Sequence, residues 1–158
     1  MEDPRVRVLF VCLGNICRSP LAEGLLIDLA SRRGLEDRLV IDSAGTAAYH
    51  VGELADARTR NLLSRRGIHY QGCARRVTDA DFAKFDHILA MDASNARTLR
   101  ARCPERHQSK VRKMLDPVGG ADVQDPYYGG GDGFERNARE LDRALDAWLV
   151  EWGMVDEA

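Results

Sequence analysis

Eight consecutive residues near the start of the chain, Cys12-Leu13-Gly14-Asn15-Ile16-Cys17-Arg18-Ser19, bring a thiol, a glycine and a guanidinium into one short span. A cysteine is a nucleophile as its thiolate, and positive surroundings lower a thiol pKa from about 8.5 into the range of about 3.5–7.5. Arg18 supplies a planar cation that can hold two oxygens of one anion. A loop containing Gly14 can turn successive N–H groups inward, making a concavity suited to an anion, and Asn15 tolerates the left-handed backbone such a loop needs. Ser19-Pro20 reads as an N-cap followed by proline at the first helical position, so the positive end of a helix would face the same anion. Cys12 would then lie at the floor of an electropositive cup. The span holds no lysine or acidic metal ligand, which separates it from the Gly-x4-Gly-Lys-Ser/Thr nucleotide loop.

The elements that must position this cup follow from periodicity. Residues 6–11 are β-branched and mostly apolar, as in a buried central strand. Leu21, Leu25, Leu26 and Leu29 form one apolar stripe, and Arg32-Arg33-Gly34 is a basic last turn with a C-cap glycine. The pattern then repeats. A strand over 39–41 ends at Asp42-Ser43-Ala44-Gly45-Thr46, and a helix over 55–66 ends in Arg65-Arg66-Gly67. A short acidic turn with Asp79 and Asp81 leads into a strand over 87–91. A helix over 93–102 stops before Pro104, and a weaker strand covers 111–115. Residues 116–133, rich in Gly, Asp and Pro, predict a long loop. Phe134, Ala138, Leu141, Leu145, Trp148 and Trp152 step by three or four along a final helix, which makes the two tryptophans core residues. Strand–helix alternation of this kind predicts an α/β fold with a parallel sheet and right-handed crossovers. Ligands of such sheets bind beyond the carboxyl ends of the strands, where the Cys12–Ser19 loop lies.

Composition bounds the rest. The chain has 158 residues, the length of one domain spanning 1–158. Its net charge of −2 argues against a nucleic-acid binder or a polybasic membrane protein. Only three of its 23 basic residues are lysine (Lys84, Lys110, Lys113), and most of the arginine excess reads as surface. Cysteines at 12, 17, 73 and 103 are too few for a disulfide scaffold, and Cys73 and Cys103 read as structural. These cysteines and the histidines at 50, 69, 87 and 107 lack zinc spacing, so neither metal nor cofactor is expected. The longest early apolar run, residues 8–12, is too short for a signal segment, and no stretch approaches the ~20 apolar residues of a membrane span. A cytoplasmic protein with no nucleic-acid or membrane partner is the expectation.

The chain resembles the low-molecular-weight protein tyrosine phosphatases. The likeness rests on Val8-Leu9-Phe10-Val11-Cys12-Leu13-Gly14-Asn15-Ile16-Cys17-Arg18-Ser19-Pro20, then Ser43-Ala44-Gly45-Thr46, Ala90-Met91-Asp92 and Asp125-Pro126-Tyr127-Tyr128-Gly129. The resemblance implies a three-layer α/β fold, a four-stranded parallel sheet flanked by helices on both faces. It also implies metal-free hydrolysis of phosphotyrosine through a phosphocysteine on Cys12, with residues 13–19 binding the phosphate. A phenolate leaving group, of pKa near 10, also needs a proton donor at neutral pH. Asp116-Pro117 and Asp125-Pro126 both offer one. The first directly follows a strand and suits a turn; the second lies beside two aromatic rings where a phenol could stack. The resemblance assigns the general acid to Asp125. It further implies that Ser19 donates its hydroxyl to the Cys12 thiolate and that Ser43 buttresses Asn15. By the same likeness Cys17 lies near Cys12 and can form a reversible disulfide with it.

Tyr49, Tyr127 and Tyr128 would line the pocket mouth, with Leu13 and Ile16 as apolar walls, while His50 reads as a solvated loop residue. Asp92 ends the third strand and is read as a helix N-cap. The implied partners are a phosphotyrosine-bearing protein, and phosphate or other oxyanions as product or inhibitor. Two rival functions fit parts of the pattern. An arsenate reductase on the same fold would need relay cysteines, and the third-strand end, Leu89-Ala90-Met91-Asp92, has none. A phosphotyrosine-binding module without activity would have no need of Cys12, Arg18 and Asp125 together.

Overall fold

A computed structural model describes residues 4–127, 129 and 132–155. Strand β1 (Val6–Cys12) pairs in parallel with β2 (Leu39–Gly45) on one side and β3 (His87–Ala90) on the other. β3 pairs in parallel with β4 (Val111–Lys113), giving the order β2-β1-β3-β4. The sheet is parallel, as the alternation predicted, and four-stranded, as the resemblance implied. Helices α1 (Arg18–Arg32), α2 (Ala57–Arg65), α3 (Asp79–Lys84), α4 (Ala93–Arg102) and α5 (Asp132–Glu151) complete the described chain.

The pleat of β1 divides the core. Val8, Phe10 and Cys12 face a cluster containing Leu21, Leu25 and Leu26 of α1 and Leu141, Leu145 and Trp148 of α5. Leu9 and Val11 face Phe82, Phe85, Ala96 and Leu99 on the other side. Both faces of the strand are therefore buried, which is why residues 8–11 read as an unbroken apolar run. Trp148 is fully buried and donates its indole N–H to the carbonyl of Met114 at 2.7 Å, anchoring α5 beneath β4. The glycine stops are real: Gly34 and Gly67 adopt φ of +69° and +79° just beyond α1 and α2.

Four local expectations need correction. Helix α1 begins at Arg18, with Cys17 at its N-cap and no side-chain cap, so Ser19 is not the capping residue. The acidic turn before β3 is a helix, α3, because Thr78 and Asp81 form a reciprocal capping box at its start. Strands β3 and β4 end one and two residues earlier than periodicity suggested, since Met91, Met114 and Leu115 are buried in the turns that follow. The long loop after β4 opens with a 3-10 turn, Asp116–Val118, and closes at Asp132 where α5 starts. Two further 3-10 segments, Glu36–Arg38 and Glu105–Lys110, have no strong sequence signal.

Candidate active site

The end of β1 carries Cys12, and the chain then turns through Leu13–Cys17 into α1. Asn15 makes this turn possible with φ of +57°, the one positive value among described non-glycine residues. The carbonyls of the turn are held from outside. Thr46 N–H donates to Cys12 O, Ala47 N–H to Leu13 O, Asp56 N–H to Ile16 O and Leu21 N–H to Cys17 O, all between 2.8 and 3.1 Å. Across a trans peptide the next N–H points the opposite way. The N–H groups of Leu13, Gly14, Cys17 and Arg18 therefore point away from that outer shell. Asn15 N–H points at Cys12 Sγ itself, 3.3 Å away.

A buried polar network surrounds the thiol. Ser19 Oγ lies 2.9 Å from Cys12 Sγ, so the side chain of the second residue of α1 serves the sulfur, not the helix end. Asn15 Nδ2 donates to Ser19 Oγ at 2.8 Å and to Ser43 Oγ at 2.9 Å, while its Oδ1 accepts the Arg75 N–H at 2.9 Å. Ser43 in turn donates to Glu23 Oε1 at 2.6 Å, as does the Tyr70 hydroxyl at 2.7 Å. Burial holds the Glu23 carboxyl above its ordinary range although both hydroxyls favour the charged form. Burial also raises Tyr70, with the Glu23 charge adding to the effect. Asn15 and Ser43 thus meet as the sequence suggested, but Glu23 and Tyr70 were missed. Their spacing on α1 and in a loop carries no chemical signature.

Arg18 is 3% exposed. Its Nη1 donates to Asp92 Oδ2 at 2.7 Å and to Val123 O at 2.8 Å, which orients the guanidinium plane. Burial opposes its charge, but Cys12, Asp92 and Asp125 outweigh that and strengthen it. Asp92 does cap α4, accepting Asn95 N–H at 2.7 Å on Oδ1, and uses its other oxygen for Arg18. Capping and the active face are not alternatives here. Arg18 Nη2 lies 3.7 Å from Asp125 Oδ2. Asp125 is 41% exposed, and its Oδ1 accepts the Tyr127 N–H at 3.1 Å. Asp116 serves elsewhere: its carboxylate accepts Lys113 N–H and pairs with Arg112.

These groups line a pocket of about 130 Å³ bounded by Cys12, Leu13, Gly14, Ile16, Cys17, Arg18, Tyr49, His50, Asp125 and Tyr127. An apolar cavity of about 150 Å³ admits a benzene ring, so the volume suits one aryl group. Tyr49, 76% exposed, and Tyr127 stand at its rim, and Leu13 forms an exposed wall. His50, expected in solvent, lines the pocket instead and pairs with Glu53 at 3.0 Å. Tyr128 lies outside the described residues. Cys17 is a buried free thiol lining the same pocket as Cys12, and burial, Asp56 and Cys12 push its pKa up to about 12. Cys103 is buried and Cys73 exposed, both free and away from this pocket.

The arrangement places a thiol, a cation and a carboxyl group on one aryl-sized cavity. The model of the family "Low molecular weight phosphotyrosine protein phosphatase" matches residues 7–157. The phosphatase of that name from Schizosaccharomyces pombe is 47% identical over 133 residues, covering 82% of this chain and 85% of its own. The one from Homo sapiens is 39% identical over 152 residues, covering 94% and 96%. The crystal structure of a protein tyrosine phosphatase from Entamoeba histolytica superposes with a TM-score of 0.88 at 41% identity, covering 95% of this chain and 99% of that one. Extent of match, fold and family model agree, and the chain belongs to the low-molecular-weight protein tyrosine phosphatases.

Proposed function

We propose that this chain, as a single domain over residues 1–158, hydrolyses phosphotyrosine in two steps that share one pocket. In the first, the Cys12 thiolate attacks phosphorus and forms a P–S bond while the P–O bond to the phenol breaks. Asp125 delivers its proton to the departing oxygen. In the second, water attacks the phosphocysteine, Asp125 takes the water proton, the P–S bond breaks and inorganic phosphate leaves. Arg18 and the inward N–H groups of residues 13–19 bind the equatorial oxygens through both steps. Ser19 donates to the thiolate, and Ser43 supports Asn15. Tyr49, Tyr127 and Tyr128 flank the phenol. No step calls for a metal or cofactor. The substrate is a phosphotyrosine-bearing protein of the cytoplasm, with phosphate and other oxyanions as product or inhibitor. Among the described residues, no helix is long and apolar enough to cross a membrane.

The observation that carries the reading is the convergence of Cys12, Arg18 and Asp125 on one pocket. The test is a pH–rate profile and a leaving-group series for the wild type, Cys12→Ser and Asp125→Asn. Cys12→Ser abolishes turnover of p-nitrophenyl phosphate and still binds phosphate. Asp125→Asn slows phenyl phosphate by about 10²–10⁴, the worth of a positioned proton donor, and p-nitrophenyl phosphate much less. Retained turnover in Cys12→Ser defeats the nucleophile, and equal slowing of both esters by Asp125→Asn moves the acid elsewhere.

A further inference from the structure

Asp125 sits in an exposed segment, and its own contacts do little to hold it. Besides Arg18, which lies 3.7 Å from Asp125 and donates to Val123 O, Arg58 links that segment to the loop after Cys12. Arg58 is the second residue of α2, whose N-cap Asp56 accepts the Arg58 N–H at 2.8 Å. The Arg58 side chain folds back on the same carboxylate: Nε donates to Asp56 Oδ1 and Nη2 to Oδ2, each at 3.0 Å. This two-pronged contact fixes the plane of the guanidinium. Asp56 is itself bound to the phosphate loop, because its N–H donates to Ile16 O at 2.8 Å.

The same guanidinium also meets the segment that carries Asp125. Arg58 Nη2 donates to the carbonyl of Tyr127 at 3.1 Å. Its Cζ lies 5.6 Å from the Tyr127 ring centre and 4.6 Å from that of Phe134, near the start of α5. Tyr127 is the residue whose N–H reaches Asp125 Oδ1. A continuous path therefore runs from Ile16 through Asp56 and Arg58 to Tyr127 and Asp125.

We infer that Arg58 is a positioning residue for the proton transfer, holding the Asp125–Tyr127 segment in register with the loop that binds phosphate. The inference rests on Asp125 being the general acid. The plain alternative is a local surface ion pair. Arg58 is 40% exposed and Asp56 13%, and pairs of this kind contribute about 0–1 kcal/mol to stability. That small contribution is useful, because it separates an effect on chemistry from an effect on folding.

The experiment compares Arg58→Ala, Arg58→Lys, Asp125→Asn and the Arg58→Ala/Asp125→Asn double variant on phenyl phosphate and p-nitrophenyl phosphate, with a thermal melt of each. Misplacing a reacting group by about 1 Å can cost up to about 10²-fold, so Arg58→Ala is expected to lower kcat on phenyl phosphate by about tenfold. On p-nitrophenyl phosphate, which needs little protonation, the loss stays within about twofold. Arg58→Lys keeps the charge but loses the planar fork and the ring contact, and follows Arg58→Ala. In the Asp125→Asn background the Arg58 substitution no longer changes the ratio of the two rates. Equal losses on both esters, full activity in Arg58→Lys, or an undiminished Arg58 effect in the double variant would overturn the inference. If Asp125→Asn alone shows no leaving-group selectivity, the acid assignment fails first and the inference falls with it.

Discussion

The Cys12–Ser19 loop and the Asp125–Tyr127 segment face each other across one pocket and are built in opposite ways. In the first, Asn15, Arg18 and Ser19 are each at most 3% exposed, and the thiol, amide and hydroxyls form one connected set of bonds. In the second, Asp125 is 41% exposed and accepts one short-range bond from Tyr127. The difference follows from the task of each. Charge on the phosphoryl oxygens must be met by dipoles already in place, because reorganising them during the reaction would raise the barrier. On the proposed mechanism, Asp125 exchanges protons with water and admits the substrate between itself and Cys12, which its place near the surface allows.

The largest test of this contrast is Arg18→Lys. A lysine keeps a charge but cannot hold Asp92, Val123 O and two phosphoryl oxygens with one planar group. Losing one preorganised donor costs about 10²–10³ in kcat, and that loss is expected here on p-nitrophenyl phosphate. A fall of less than about tenfold would mean that charge alone suffices in the cup.

A smaller effect separates backbone from bonding in the same loop. Asn15→Ala places an alanine in the left-handed region at a cost of about 1–2 kcal/mol and also leaves Ser19 and Ser43 without their donor. Asn15→Gly removes the amide without that backbone cost. The melting temperature of the alanine variant should therefore lie below that of the glycine variant by about 2–4 °C per kcal/mol. Asp125→Asn, in the exposed segment, should change stability by no more than about 0.5 kcal/mol. If Asp125→Asn melts as low as Asn15→Ala, the two regions are not built differently.

The smallest effect concerns pH and the buried end of the network. Glu23 has a folded-state pKa above the ordinary glutamate value, chiefly through burial. The native state therefore binds its proton more tightly than the unfolded chain does. That stabilising contribution is full below the unfolded pKa and is lost as pH rises through the raised folded value. Glu23→Gln removes this titration, so the stability of wild type relative to Glu23→Gln should decline as pH rises across that window and then level off. Denaturant unfolding at several pH values measures it, and a difference that grows with pH would reverse the sign of the argument.

Much of the site was legible because its chemistry is local. Cys12, Gly14, Asn15, Arg18 and Ser19 lie within eight residues, and a strand before them with a leucine stripe after them places the loop. The role of Asp92 was half legible, since a capping aspartate announces itself by position but its second partner, Arg18, is 74 residues away. Glu23, Tyr70, Asp56 and Arg58 were not legible. A glutamate on an amphipathic helix and an arginine in a helix's first turn are ordinary surface residues until the fold shows what lies against them. His50 failed for the same reason: its place in the pocket depends on how the segment after β2 returns over Gly14, where a side chain on Gly14 would come within 3.0 Å of the imidazole.

By itself, the order of residues determined the alternation of strands and helices, the parallel sheet, and the loop able to hold an anion above a thiol. These follow from short-range periodicity, capping and the few side chains able to do each job. The tertiary structure alone decided which carbonyl and carboxylate orient Arg18, and that Arg58 reaches the carbonyl of Tyr127. Those contacts join residues 69 to 105 positions apart. Only packing both faces of β1 brings them within hydrogen-bond distance.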